Sequence, residues 1–188
     1  MPNHCFNKLT ISGLRESVDE FIKDRLDENC NIDFNLVHPM PKALEDVHTG
    51  WYELNGREVR LWREDRTTGH KTPVESDEVR ALQMLYGVTN PRDWKVNNWG
   101  TKWNAYDHGD MDRGNHGLEH WAEFDFTTAW GPPKKWLQDL NKACPRLFLQ
   151  LEFTVEGGQS MGSFAFEPLD DIDFHTIREH NLSLKEDK

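Results

Sequence analysis

Leu147-Phe148-Leu149-Gln150-Leu151-Glu152-Phe153-Thr154-Val155 is the stretch on which the fold turns. Leu147, Leu149, Leu151, Phe153 and Val155 alternate strictly with Phe148, Gln150, Glu152 and Thr154. A period of two sends the two sets to opposite faces of a pleated strand, so the pattern predicts a strand with one buried face. Gly157-Gly158 then signals a hairpin, and Met161, Phe164 and Phe166 continue into a partner strand. Upstream, Pro145 ends a helix expected over 132–143, which carries Trp136, Leu137 and Leu140 inward and begins at Gly131-Pro132-Pro133. Before that helix, Trp121, Phe124 and Phe126 mark a strand over 119–128, with the β-branched Thr127 and Thr128 at its end.

The N-terminal part repeats this order. Phe6, Leu9 and Ile11 predict a strand over 5–12, with imperfect alternation and Gly13 as its stop. Leu14, Val18, Phe21, Ile22 and Leu26 fall at helical spacing, with Asp19, Glu20, Lys23 and Asp24 on the other face. Ile32, Phe34 and Leu36 alternate with Asp33 and Asn35, which predicts a half-buried strand ended by His38-Pro39-Met40-Pro41. The order is strand, helix, strand, long gap, strand, helix, strand, strand. It predicts an α+β fold: a ferredoxin-like βαββαβ antiparallel sheet with helices on one face and a long Trp-rich, partly helical insertion. Residues 1–188 are expected to form a single domain, with 42–116 as the insertion and 168–188 as a C-terminal tail or short helix. Within the insertion, a helix is expected over 75–86, with Ser76 as N-cap and Val79, Leu82, Met84 and Leu85 on or near one face. A second short helix should start after Asn90-Pro91, and the stretch from Gly109 to Gly117 reads as a loop.

Charge narrows the partners. The chain of 188 residues has 33 acidic against 22 basic side chains, a formal net charge of -11. That balance disfavours a phosphate-backbone binder, so no direct nucleic-acid binding is expected; a basic partner is permitted. Cys5, Cys30 and Cys144 are isolated and odd in number, which suits a reducing cytoplasm. Met1-Pro2-Asn3-His4 lacks the basic and apolar regions of a signal peptide, and no apolar run approaches a membrane span. A cytoplasmic location, with no membrane partner, is the expectation.

Two segments stand out as candidate sites. Asn98, Trp99, Thr101, Lys102, Trp103 and Asn104 flank Gly100 in a run where indoles, a cation and amide donors sit close together. Such a set suits a planar or phosphorylated ligand, or an aromatic hot spot for a protein. It equally suits rings that anchor the insertion to the sheet. Thr128 and Trp130 lie where a strand enters a helix N-terminus. His108, His116 and His120 lie near Asp107, Asp110, Asp112 and Glu119, but no HExxH, CxxC, GxSxG, Walker loop or GxGxxG is present. No catalytic residue, metal ligand or cofactor is assigned.

The segments Met1-Pro2-Asn3-His4-Cys5-Phe6-Asn7-Lys8-Leu9-Thr10-Ile11-Ser12-Gly13, Asn98-Trp99-Gly100-Thr101-Lys102-Trp103-Asn104-Ala105 and Thr128-Ala129-Trp130-Gly131-Pro132-Pro133 resemble the YubB-type ferredoxin-like family of phage, plasmid and other mobile-element proteins. The resemblance covers nearly the whole chain and departs at His4 and Gly131. It implies a ferredoxin-like domain and brings no catalytic residues with it. Together with the charge, it leads to the expectation of an accessory protein that binds, and inhibits, a host defence component such as a CRISPR effector. The alternatives are a binder or sponge for a nucleotide signal, and a metal-dependent hydrolase using residues 107–120.

Overall fold

The computed structural model describes residues 3–65, 67–158 and 160–169. The chain divides into two compact units, Met1–His38 with Trp99–Lys188, and Pro39–Asn98. The strands of the described residues are β1 (His4–Leu14), β2 (Val47–Leu54), β3 (Arg57–Glu64), β4 (Lys71–Pro73), β5 (Asp112–His116), β6 (Glu119–Ala129), β7 (Phe148–Val155) and β8 (Met161–Phe166). The α-helices are α1 (Arg15–Arg25), α2 (Ser76–Tyr86), α3 (Pro91–Asn98) and α4 (Lys134–Ala143). The fold is mixed α+β, and every strand pairing is antiparallel.

The first unit holds a five-stranded sheet in the order β5-β6-β1-β7-β8. β1 is central: Leu9 lies opposite Phe124 of β6 and Leu151 of β7. Cys5, Leu9 and Ile11 are fully buried, while Phe6, Lys8 and Thr10 alternate with them and take the other face. The helices cover the first of these faces. Phe21 of α1 meets Phe124 with ring centroids 5.6 Å apart, and Trp136 of α4 meets Phe126 at 6.4 Å. Phe124 and Phe126 are two residues apart on one strand and so point the same way.

The strand expected over 32–36 is not formed. Ile32 makes a single bridge to Leu26, and Phe34–Leu36 wind into one 3₁₀ turn. The alternating pattern was real at Ile32 and Phe34, which are buried. The polar residues between them decide otherwise: the Asp33 carboxylate accepts from the Asn35 backbone N–H at 2.9 Å. This local closure competes with a strand ladder for the same donors. The expected loop over 109–117 is likewise corrected, since Asp112–His116 pairs with β6 as an edge strand.

The second unit carries the sheet β2-β3-β4 with α2 and α3. Its core includes Leu44, Val47, Trp62, Leu82 and Trp94. Arg63 ties it together electrostatically, donating to Asp46, to Glu78 and to the Ala43 carbonyl. The two expected helices are present. Asn90 caps α3, its side-chain oxygen accepting from the Asp93 N–H at 2.9 Å, and Pro91 takes the first helical position. Ser76 is not an N-cap: it is the first residue of α2, whose N-cap is Glu75. Met84 and Leu85 point to solvent, at 86% and 72% exposure, leaving Leu82 as the buried residue of that helix. The tail expected over 168–188 lies, beyond Leu169, outside the described residues.

Candidate binding surface

β6 ends at Ala129 and α4 starts at Lys134, so Trp130–Pro133 is a tight link between a central strand and a helix N-terminus. Thr128, fully buried, organises this link. Its hydroxyl accepts from Asn7 Nδ2 at 2.9 Å and donates to the Gly131 carbonyl at 2.8 Å. Thr101 reaches the same place from another part of the chain. Its hydroxyl donates to the Ala129 carbonyl at 2.9 Å and accepts from the Ala129 N–H at 3.2 Å. Both threonines use donor and acceptor at once, which leaves the buried backbone groups satisfied.

Residues 99–101 lie directly on the first turn of α4. The Trp99 carbonyl accepts from the Trp136 N–H at 3.3 Å. It thereby satisfies one of the N–H groups that a helix start leaves without an intrahelical partner. Gly100 has φ +87°, and a Cβ there would come within 3.3 Å of the Lys134 nitrogen. Glycine meets both demands, the left-handed backbone and the close approach.

The Trp99 ring is buried and donates from Nε1 to the His38 carbonyl at 2.9 Å. Phe34 packs against Trp99, Trp136 and Phe126 with centroids 5.5, 4.6 and 6.1 Å away. Asn104 fixes the backbone beneath this cluster. Its Oδ1 accepts from the Phe34 N–H at 2.9 Å, and its Nδ2 donates to Asp33 Oδ1 at 2.7 Å. Alongside, His38 Nδ1 lies 2.7 Å from Asp139 Oδ2, and Lys142 Nζ lies 3.1 Å from Asp139 Oδ1. Burial alone would push the Asp139 carboxyl up, but His38 and Lys142 hold it below its usual range.

The candidate residues therefore separate. Trp99, Thr101, Asn104 and Thr128 are internal fasteners. Asn98 ends α3 in the other unit, with its Nδ2 donating to the Trp94 carbonyl at 2.8 Å. Lys102, Trp103 and Trp130 form a group of their own. Lys102 Nζ sits 5.0 Å from the ring centroid of Trp103 and 5.0 Å from that of Trp130. The two indoles are 39% and 46% exposed. Trp130 also has φ +75°, with its N–H donating to the Asn3 carbonyl. A bulky residue in the left-handed region is a backbone outlier.

Tyr106 and His4 extend this group. Trp103 meets Tyr106 with centroids 5.9 Å apart, and the Tyr106 hydroxyl lies 2.8 Å from His4 Nδ1. Burial pushes the Tyr106 phenol up, with Asp107 reinforcing it. Neither residue was marked by the sequence, since nothing in the spacing of His4 and Tyr106 says that they meet. The histidines of 107–120 do not converge: His108 Nε2 is 3.1 Å from the Ile32 carbonyl, while His116 and His120 lie on neighbouring strands. Among the described residues, no group of three or more His, Cys, Asp or Glu is placed to hold a metal ion. No helix among them is long and apolar enough to cross a membrane.

No protein-family model, curated relative or solved structure matches the chain.

Proposed function

We propose that this chain is a binding protein of a bacterial mobile element, built on a YubB-type ferredoxin-like domain, that inhibits a host defence component such as a CRISPR effector by occupying it. The ferredoxin-like reading is supported by the first unit. There β1, α1, β5, β6, α4 and β7 follow one another as βαββαβ, with β5-β6-β1-β7 as neighbours in the sheet. In this reading β5 takes the place that 32–36 was expected to fill.

One observation carries the binding role. Trp130 holds a large ring in solvent from a backbone conformation that costs of order 1–2 kcal/mol for an L-residue. Burial of the covered half of the ring, worth about 2–3 kcal/mol, offsets that cost, but the other half still faces water beside a cation, and an exposed indole held in this way favours a use outside the fold. Trp103 and Lys102 beside it complete an aromatic and cationic patch of the kind that dominates protein interfaces.

The test is affinity purification from host cells carrying an active defence system, with wild type and the Trp103→Ala/Trp130→Gly variant in parallel. Wild type should retain a defence component and protect an infecting phage, and the variant should lose both while staying folded. Equal recovery by the two proteins would overturn the reading, as would no loss of phage protection on deleting the gene. Native mass spectrometry with a nucleotide panel reads the competing possibility, and a bound nucleotide lost with Trp130 would move the function to small-molecule capture.

A further inference from the structure

The face of the five-stranded sheet opposite α1 and α4 carries a second surface. Two rows of side chains cross it from strand to strand. In the first, Phe6 of β1 lies between Thr127 of β6 and Thr154 of β7, and Thr154 is opposite Met161 of β8. In the second, Lys8 lies between Asp125 and Glu152, and Glu152 is opposite Ser163. Phe6 is 54% exposed and Met161 70% exposed, so this apolar row meets water. The rows and Asp107 line an open groove of about 650 Å³.

The groove lining is acidic in balance, with Asp107, Asp125 and Glu152 against Lys8. Lys8 is the lysine of the second row, and its ammonium lies 2.7 Å from Glu123. Asp125 and Glu152 flank that pair and add to the field on Lys8. A ligand that fits must lay flat apolar or planar surface on Phe6 and place positive charge over the row beside it. Neighbouring residues of one face are about 7 Å apart along a strand, which a single long side chain spans. An arginine does both: its guanidinium stacks on an aromatic ring and pairs with carboxylates in a planar fork. A lysine is a hydrated point charge and uses the ring less well.

We propose that this sheet face is a docking site for an arginine-bearing basic segment of a partner protein, with Phe6 as the stacking platform and Asp125 and Glu152 as the anions. It goes beyond the aromatic patch at Trp130 and does not depend on it. The occupant is fixed by charge complementarity: a sheet face with two carboxylates in the row beside an exposed ring repels phosphate and accepts a guanidinium.

The test uses the full chain and defined probes: blocked tetra-arginine and tetra-lysine peptides, and spermidine, by calorimetry and amide-shift mapping at an ionic strength of about 0.15 M, where long-range attraction is screened. Tetra-arginine should bind saturably and shift the amides of Phe6, Thr154 and Met161. Asp125→Asn/Glu152→Gln should weaken it about five- to tenfold, the effect of two exposed charge pairs. Phe6→Ala should reduce the preference for arginine over lysine. Asp24→Asn/Glu28→Gln, which removes two exposed charges elsewhere on the chain, should leave binding unchanged. Equal weakening by the two charge pairs would show diffuse attraction and overturn the site. So would shifts confined to other surfaces, or tetra-lysine or spermidine binding as tightly as tetra-arginine.

Discussion

The side-chain oxygen of Asn104 accepts the backbone N–H of Phe34 at 2.9 Å across 70 residues of sequence. Phe34 is fully buried among Trp99, Phe126 and Trp136, so its N–H has no access to a water substitute. Asn104→Ala should therefore cost about 1–3 kcal/mol, the penalty of a buried donor left unsatisfied. Asn104→Asp keeps the acceptor but loses the donor to Asp33 and sets two carboxylates together, so it should be no better at neutral pH. Urea unfolding of the two variants measures this, and wild-type midpoints for both would refute the role.

Trp99 should behave as a core residue. Its ring is 1% exposed and packs edge-on against Phe34, and its carbonyl caps α4 through Trp136. Trp99→Ala removes the ring and should cost about 3–5 kcal/mol. Trp99→Phe keeps much of the packing but leaves the His38 carbonyl without its donor, so it should fall between wild type and Ala. Thermal melts rank the three proteins.

What could be read from the sequence follows where a single pattern decided local structure. Leu149, Leu151 and Val155 point into the core from β7 because their alternation has no competing turn chemistry. Ile32 and Phe34 show the same alternation, yet Asp33 and Asn35 close a turn between them. The hairpin of β2 and β3 was missed although Asn55 and Gly56 stand between the strands with φ +52° and +75°. Both residues are left-handed, as a type I′ turn requires, and Asn-Gly was the available signal. Its strands bury few side chains, so hydropathy was silent there. At the candidate site, the sequence located the Trp-rich run but not which rings face water. Trp99 and Trp103 differ in burial because of what they meet in three dimensions, and spacing carries no trace of that. Phe6 is the reverse case. Its poor fit to the alternation of Leu9 and Ile11 was the sign that it points to the opposite face.

The three thiols should differ in reactivity. Cys30 is exposed, whereas Cys5 is fully buried and Cys144 is partly covered. Burial pushes the thiols of Cys5 and Cys144 up, which lowers their thiolate fraction at neutral pH. A maleimide at neutral pH should label Cys30 first, then Cys144, and Cys5 only on unfolding. Peptide mass mapping of a time course reads the order, and early label on Cys5 would contradict the packing of β1.

Acid sensitivity should trace in part to Asp27. Its carboxylate accepts from the N–H groups of Asn31 and Asn29 at 2.8 and 2.9 Å, closing the loop after α1. The Asn31 N–H is the main reason that its carboxyl is held below the ordinary value of 3.8. A depressed carboxyl binds its proton more weakly in the folded state. Its stabilising contribution is therefore full above about pH 3.8 and is lost as pH falls through the lower folded value. Asp27→Asn removes that titration, so its urea midpoint should depend less on pH between about pH 5 and 2 than that of wild type. Parallel curves for the two proteins would assign the acid limb to other groups.

Trp130→Gly separates stability from use. The substitution relieves the left-handed strain of about 1–2 kcal/mol. It forfeits the stacking of Lys102 on one ring, about 0.5–1 kcal/mol at an exposed site. It also adds a flexible glycine beside Gly131, which costs about 0.5–1 kcal/mol in the unfolded-state entropy. These three terms nearly cancel, and loss of the buried part of the ring remains, so Trp130→Gly should be less stable than wild type by about 2–3 kcal/mol. Trp130→Ala loses the same ring without relieving the backbone, and should be the less stable of the two. If the exposed ring serves a partner, both variants bind poorly in spite of their different stabilities. A fold that needs Trp130 would instead show both effects together, with stability and binding lost in the same proportion across Gly and Ala.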